Sequence, residues 1–201
     1  MRSQFRILVV CLFSLFLPAG LIAQGKLATN ARDGYPIDIA ISYSAQHSNL
    51  VSTPTFWQSG GSADVTLPIY RGLSAVAKLA GSKTGDAANS GHGLSLITAN
   101  FGPRYTYYLP LGIERKQKFA VFGQALIGPA WGFNSYFPAP SGSKTSEISF
   151  CLRLGGGADV ALSRHLGVRP FQAEWLKTQF PNGNTNVQNN FQLGAGVVFR
   201  F

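Results

Sequence analysis

Apolar and polar positions alternate along most of this chain. After Pro36, Ile37, Ile39, Ile41 and Tyr43 alternate with Asp38, Ala40, Ser42 and Ser44, which gives one apolar face and one small or polar face. In 57–67 the same pattern sets Trp57, Ala63, Val65 and Leu67 against Gln58, Ser62, Asp64 and Thr66. Six further runs share it: 73–83, 94–109, 119–133, 148–162, 168–180 and 189–201. This predicts an all-β chain of about eight strands, with no competing helical period. The connections 68–72, 110–118 and 163–167 are read as the short turns of one end, two of them five residues long, whereas those at 85–93 and 136–147 are polar and reach 12 residues. Short turns at one end and long loops at the other predict a single closed antiparallel transmembrane barrel, short turns toward the periplasm.

Alternation also suits a solvated sheet, so the composition of the polar face matters. Asp38, Asp64, Lys78, Arg104, Arg153, Asp159, Glu174 and Arg200 all fall on it, four acidic and four basic. An unpaired charge inside a narrow barrel costs several kcal/mol, so a balanced lumenal charge network is the expected arrangement. Charged residues are only 12% of the chain, and most of those outside this set lie in turns. The opposite face carries Phe101, Tyr105, Tyr107, Trp131, Phe133, Phe171, Trp175, Phe191, Phe199 and Phe201. Several of these rings sit at strand ends, where an aromatic suits the boundary between lipid and water.

The start of the chain adds export. Arg2 and Arg6 precede an apolar run of 11 residues from Ile7 to Leu17, followed by Pro18, Ala19 and Gly20. A spanning helix needs about 20 residues, so 1–23 reads as a cleavable signal peptide, 24–35 as an irregular lead-in and 36–201 as the barrel. Cleavage is placed near Ala23, with Leu21 a poor fit to the small-residue pattern. Cys11 would leave with the leader, and the single remaining Cys151 cannot form an intramolecular disulfide. Without Arg2 and Arg6 the balance is 15 basic to 8 acidic residues. The basic residues are dispersed and the chain exported, so outer-membrane lipids are the expected partner and nucleic acid is not. The short turns hold Arg71, then Arg115, Lys116 and Lys118, then Arg164 and His165, suited to an anionic inner leaflet.

Candidate chemistry is sparse. Gly155, Gly156 and Gly157 lack the Lys-Ser/Thr of a phosphate loop and lie inside a strand pattern. His47, His92 and His165 are far apart and show no metal-ligand spacing, so neither metal nor cofactor is expected. His47 beside Ser48 invites comparison with a lipid-hydrolysing pair, and Asp86, His92 and Glu147 with an acidic protease rim.

The last run sets Phe191, Leu193, Ala195, Val197, Phe199 and Phe201 against Asn190, Gln192, Gly194, Gly196 and Arg200. A Phe closing an alternating strand resembles the assembly signal that the barrel-insertion machinery reads at the C-terminus of bacterial outer-membrane barrels. Gly196, Phe199 and Phe201 match that pattern, while Gly194 stands where a polar residue is usual. Phe101-Gly102-Pro103-Arg104-Tyr105 and Leu154-Gly155-Gly156-Gly157-Ala158-Asp159-Val160 are similar to strand segments of porin-like barrels. Over 36–201 the chain thus resembles the small outer-membrane barrels, such as the transmembrane domain of outer-membrane protein A, without the peptidoglycan-binding domain that follows it there. The resemblance implies a non-catalytic, monomeric barrel of the bacterial outer membrane with a membrane-integrity or surface-interaction role. Two alternatives stay open: an outer-membrane lipid-modifying enzyme, and a soluble periplasmic barrel that carries a lipid.

Overall fold

A computed structural model describes residues 37–48, 55–87, 91–109, 119–140, 142–182 and 186–201. The expected leader 1–23, the lead-in 24–35 and the turn 110–118 lie outside the described residues. Among those described, eight strands form: β1 Asp38–Ser48, β2 Phe56–Tyr70, β3 Leu73–Thr84, β4 Leu94–Leu109, β5 Phe119–Ala139, β6 Gly142–Ala161, β7 Leu166–Thr178 and β8 Gln188–Arg200. They close into one barrel in chain order. Each pairs antiparallel with the next, and β8 returns to β1 in a register running from Asp38 opposite Arg200 to His47 opposite Phe191. Beyond the last pair, the Phe201 amide donates to the Ile37 carbonyl at 3.0 Å.

The pleat sorts the side chains as the period of two requires, with the polar phase inside. Ser42, Gln58, Asp64, Thr66, Lys78, Asn100, Arg153 and Glu174 are buried, whereas Ile41, Tyr43, Trp57, Leu79, Phe101, Tyr105 and Phe171 are exposed. This inverts the soluble arrangement, and a continuous apolar surface of this kind is stable only against an apolar medium. The rings sort by end: Trp57, Trp131 and Trp175 lie toward the end with the long hairpin, and Tyr70, Tyr105, Tyr107, Phe199 and Phe201 lie toward the end with the short turns. These are the two aromatic girdles of a membrane barrel.

The β2–β3 connection shows why one end is tight. Arg71 and Gly72 both have positive φ, 39° and 85°, the conformation of a two-residue hairpin turn whose twist matches that of the strands. The segment 136–147 departs from expectation: it continues as strand, with β5 and β6 paired out to Ala139 opposite Gly142. A register shift between Phe133 and Phe137, with Asn134 at φ 59°, marks a bulge where the hairpin leaves the barrel wall.

Candidate functional site: the lumenal charge network

The barrel encloses a network of ion pairs centred on two carboxylates. Asp64 of β2 accepts from Arg104 of β4 at 3.0 Å and from Arg169 of β7 at 2.7 Å, both through Oδ2. Its Oδ1 lies 3.5 Å from Lys78 Nζ of β3. Glu174 of β7 accepts from Lys78 at 2.9 Å and from Arg153 of β6 at 2.7 Å through Oε2, and from Gln124 at 2.6 Å through Oε1. Asp159 of β6 takes a two-point contact from Arg169, at 2.8 and 3.2 Å. Neutral groups complete the guanidinium shells: Thr66 and Gln124 around Arg104, Thr98 and Gln192 around Arg153, and Gln172 beside Arg169. Such pairs survive in a dry interior only where the remaining polar atoms are also bonded.

Of the eight charges read from the sequence, Asp64, Lys78, Arg104, Arg153, Asp159 and Glu174 meet in this network. Asp38 and Arg200 lie at the short-turn rim, opposite one another in the β1–β8 register. Gly155 makes room for the network, since a Cβ there would come within 2.8 Å of Glu174 Cγ. Of the assembly-signal residues, Phe199 and Phe201 face outward. Gly196 packs against β1, where a Cβ would lie 2.7 Å from Ser42 Cα.

Two features escape the simple alternation. Arg169 is buried in the network although it is five residues from Glu174 and so out of phase with it. The register shift between Arg169 and Gln172 explains this: Pro170 and Phe171 both face outward and the phase inverts. The signal was Pro170, a residue confined within sheets to edges and bulges. Arg169 and Arg104 also place their guanidiniums 4.5 and 4.3 Å from the ring centre of Phe122.

The second feature is an apolar plug above the network, at the long-hairpin end. Phe56, Ala87, Leu94, Leu96, Ala130, Phe137, Cys151, Leu176 and Phe180 are buried together. Phe137 reaches it because the Asn134 bulge turns the β5 extension inward, and its ring packs 5.4 Å from that of Phe180. Ala87 is carried in by the segment after β3, where its amide bonds to the His92 carbonyl at 2.8 Å. Little space is left in the lumen. Of two cavities beside the network, one has no room for a water and the other has about 10 Å³.

The catalytic pairings weighed above do not assemble. His47 and Ser48 point to opposite faces: His47 packs outside on Trp57 at 5.0 Å, while the Ser48 hydroxyl accepts from Gln46 and Gln58 inside. Asp86 binds the Gly91 amide, His92 packs on Tyr136, and Glu147 pairs with Lys144. No group of acidic, His and Cys residues with metal-holding geometry occurs among the described residues.

A closed eight-stranded barrel with an aromatic-girdled apolar wall and a charge-filled lumen has the architecture of the small bacterial outer-membrane barrel proteins. Solved structures with this fold include Neisserial surface protein A, with a TM-score of 0.65 at 13% identity over 84% of this chain and 100% of that one. Ail, the attachment invasion locus protein of Yersinia pestis, gives a TM-score of 0.52 at 12% identity over 84% of this chain and 100% of that one. The outer membrane protein OprG of Pseudomonas aeruginosa gives 0.50 at 9% identity over 85% and 98%. At these identities the likeness is one of fold. No protein-family model and no curated protein sequence matches the chain.

Proposed function

We propose that this chain is an exported, non-catalytic outer-membrane barrel that presents its long-hairpin end to the cell exterior, in a membrane-integrity or surface-interaction role. The observation that carries the reading is the inverted distribution of side chains, apolar outside and polar inside, in a barrel whose lumen is filled. A lipid carrier needs the reverse, an apolar cup with a hydrated exterior. The β5–β6 hairpin extends past the neighbouring strands and displays Tyr136, Pro138, Ser143 and Lys144, giving the outer end a contact surface. On this reading the basic short turns face the periplasm, lipids are the resident partners, and the barrel functions as a monomer.

Cell fractionation combined with single-cysteine labelling tests this. In a Cys151→Ser background, Ser143→Cys should react with an impermeant maleimide on intact cells and Ser163→Cys should not, with both proteins in the detergent-requiring outer-membrane fraction. Release by osmotic shock, or the reverse labelling, would overturn the reading. Insertion by the barrel-assembly machinery has its own test. Removing Phe201 should lower the folded, heat-modifiable protein in outer membranes while leaving its synthesis unchanged, and an undiminished level would count against a terminal signal.

A further inference from the structure

Among the described residues, the lumenal network holds four cations, Lys78, Arg104, Arg153 and Arg169, against three carboxylates, Asp64, Asp159 and Glu174. Asp38 and Arg200, opposite one another in the β1–β8 register, bring one charge of each sign and leave that difference unchanged. The enclosed set therefore carries one excess positive charge, in surroundings that screen it far less than water does. The Phe122 ring under Arg104 and Arg169 offsets part of this with its electron-rich face, but supplies no counter-charge.

Next to the network, between β1, β2, β3, β7 and β8, lies the cavity of about 10 Å³, lined by Ser42, Ser44, Ser62, Lys78, Gln172 and Glu174 among others. Two buried polar atoms of that lining, Ser42 Oγ and Gln172 Nε2, have no hydrogen-bond partner, although their residues are only 5% and 3% exposed. Gln172 cannot turn its amide round, because its Oε1 accepts from Arg169 at 3.0 Å, which leaves the NH2 group unused. The Ser44 hydroxyl already accepts from Gln192 at 2.6 Å, so its hydrogen is free to donate. Glu174, the one carboxylate in the lining, is already committed to Lys78, Arg153 and Gln124. The cavity thus offers unused donors beside an uncompensated cation, with room for one small particle.

We propose that this cavity is a binding site for a single small inorganic anion of the halide class, which completes the charge balance of the lumen. A water molecule would bond to Ser42 and Gln172 but leave the excess charge in place; a halide answers both demands.

Bromide tests the site directly in the intact barrel. Crystals of detergent-purified protein refolded in sodium bromide should show an anomalous peak within hydrogen-bonding distance of Ser42 Oγ and Gln172 Nε2. Protein refolded in sodium chloride should unfold about 3 °C higher than protein refolded in sodium gluconate of the same ionic strength. Ser42→Asp, which brings its own negative charge into the cavity, and Arg169→Met, which removes the excess cation, should each abolish that difference. The proposal is overturned by a cavity without anomalous signal, by equal midpoints for the unaltered protein, or by a chloride effect that persists in both variants, which marks a general salt effect. Should either variant fail to fold, the bromide map and the unaltered protein's midpoints still decide.

Discussion

Among the described residues Asp64 is the most heavily shared carboxylate in the lumen, with three cations on it, whereas Asp159 makes its ion pair with Arg169, which also reaches Asp64 and Gln172. Neutralising a shared hub strands more buried charge than neutralising a branch. Asp64→Asn should therefore cost about 3–5 kcal/mol and Asp159→Asn distinctly less, measured by urea unfolding of the refolded barrel in micelles. Equal costs would show that the ion pairs act independently. Seven of the eight charges that the alternation places on the polar phase are buried, Asp38 at the rim being half-buried, because a pleated strand leaves a residue only two directions. Arg169 was not legible that way, because periodicity assumes an unbroken register and the Pro170–Phe171 bulge inverts it.

The same cause operates between elements. Strand order and the tight Arg71–Gly72 turn follow from spacing, since two-residue hairpins demand positive φ and Gly supplies it readily. The β5–β6 extension was hidden, because the polar, proline-containing stretch 136–147 has the composition of a loop while its backbone continues the ladder. Its consequence is the plug: the Asn134 bulge sends Phe137 in over the mouth and leaves Tyr136 outside. Phe137→Ala should destabilise by about 3 kcal/mol or more and Tyr136→Ala by less than about 1 kcal/mol, on the same urea assay. Similar effects at the two positions would mean that the hairpin does not seal the barrel.

For the whole molecule, the plug and the charge network close the lumen in series. Reconstituted into planar bilayers, the purified protein should give no conductance steps above the lipid background at physiological salt, and Phe137→Ala alone should not open it while the ion pairs beneath remain. Discrete steps from the unaltered protein would overturn the closed-barrel reading. Architecture was legible at this scale because an eight-strand alternation leaves few ways to bury a charged face. The small cavity beside the network was not, since it arises where Ser42, Ser44 and Ser62 on neighbouring strands fail to fill the volume that Gln172 and Lys78 leave.

The uneven placement of the tryptophans gives the protein a built-in clock. All three indoles stand at the hairpin end, and the short turns and the described C-terminus stand at the other. A barrel entering a bilayer from the short-turn side must push the indole rim across first, while the tyrosine-rich rim stops at the near surface. Indole emission therefore times the arrival of the leading edge at the far leaflet, and quenchers confined to one leaflet would read out the direction of travel without any added label.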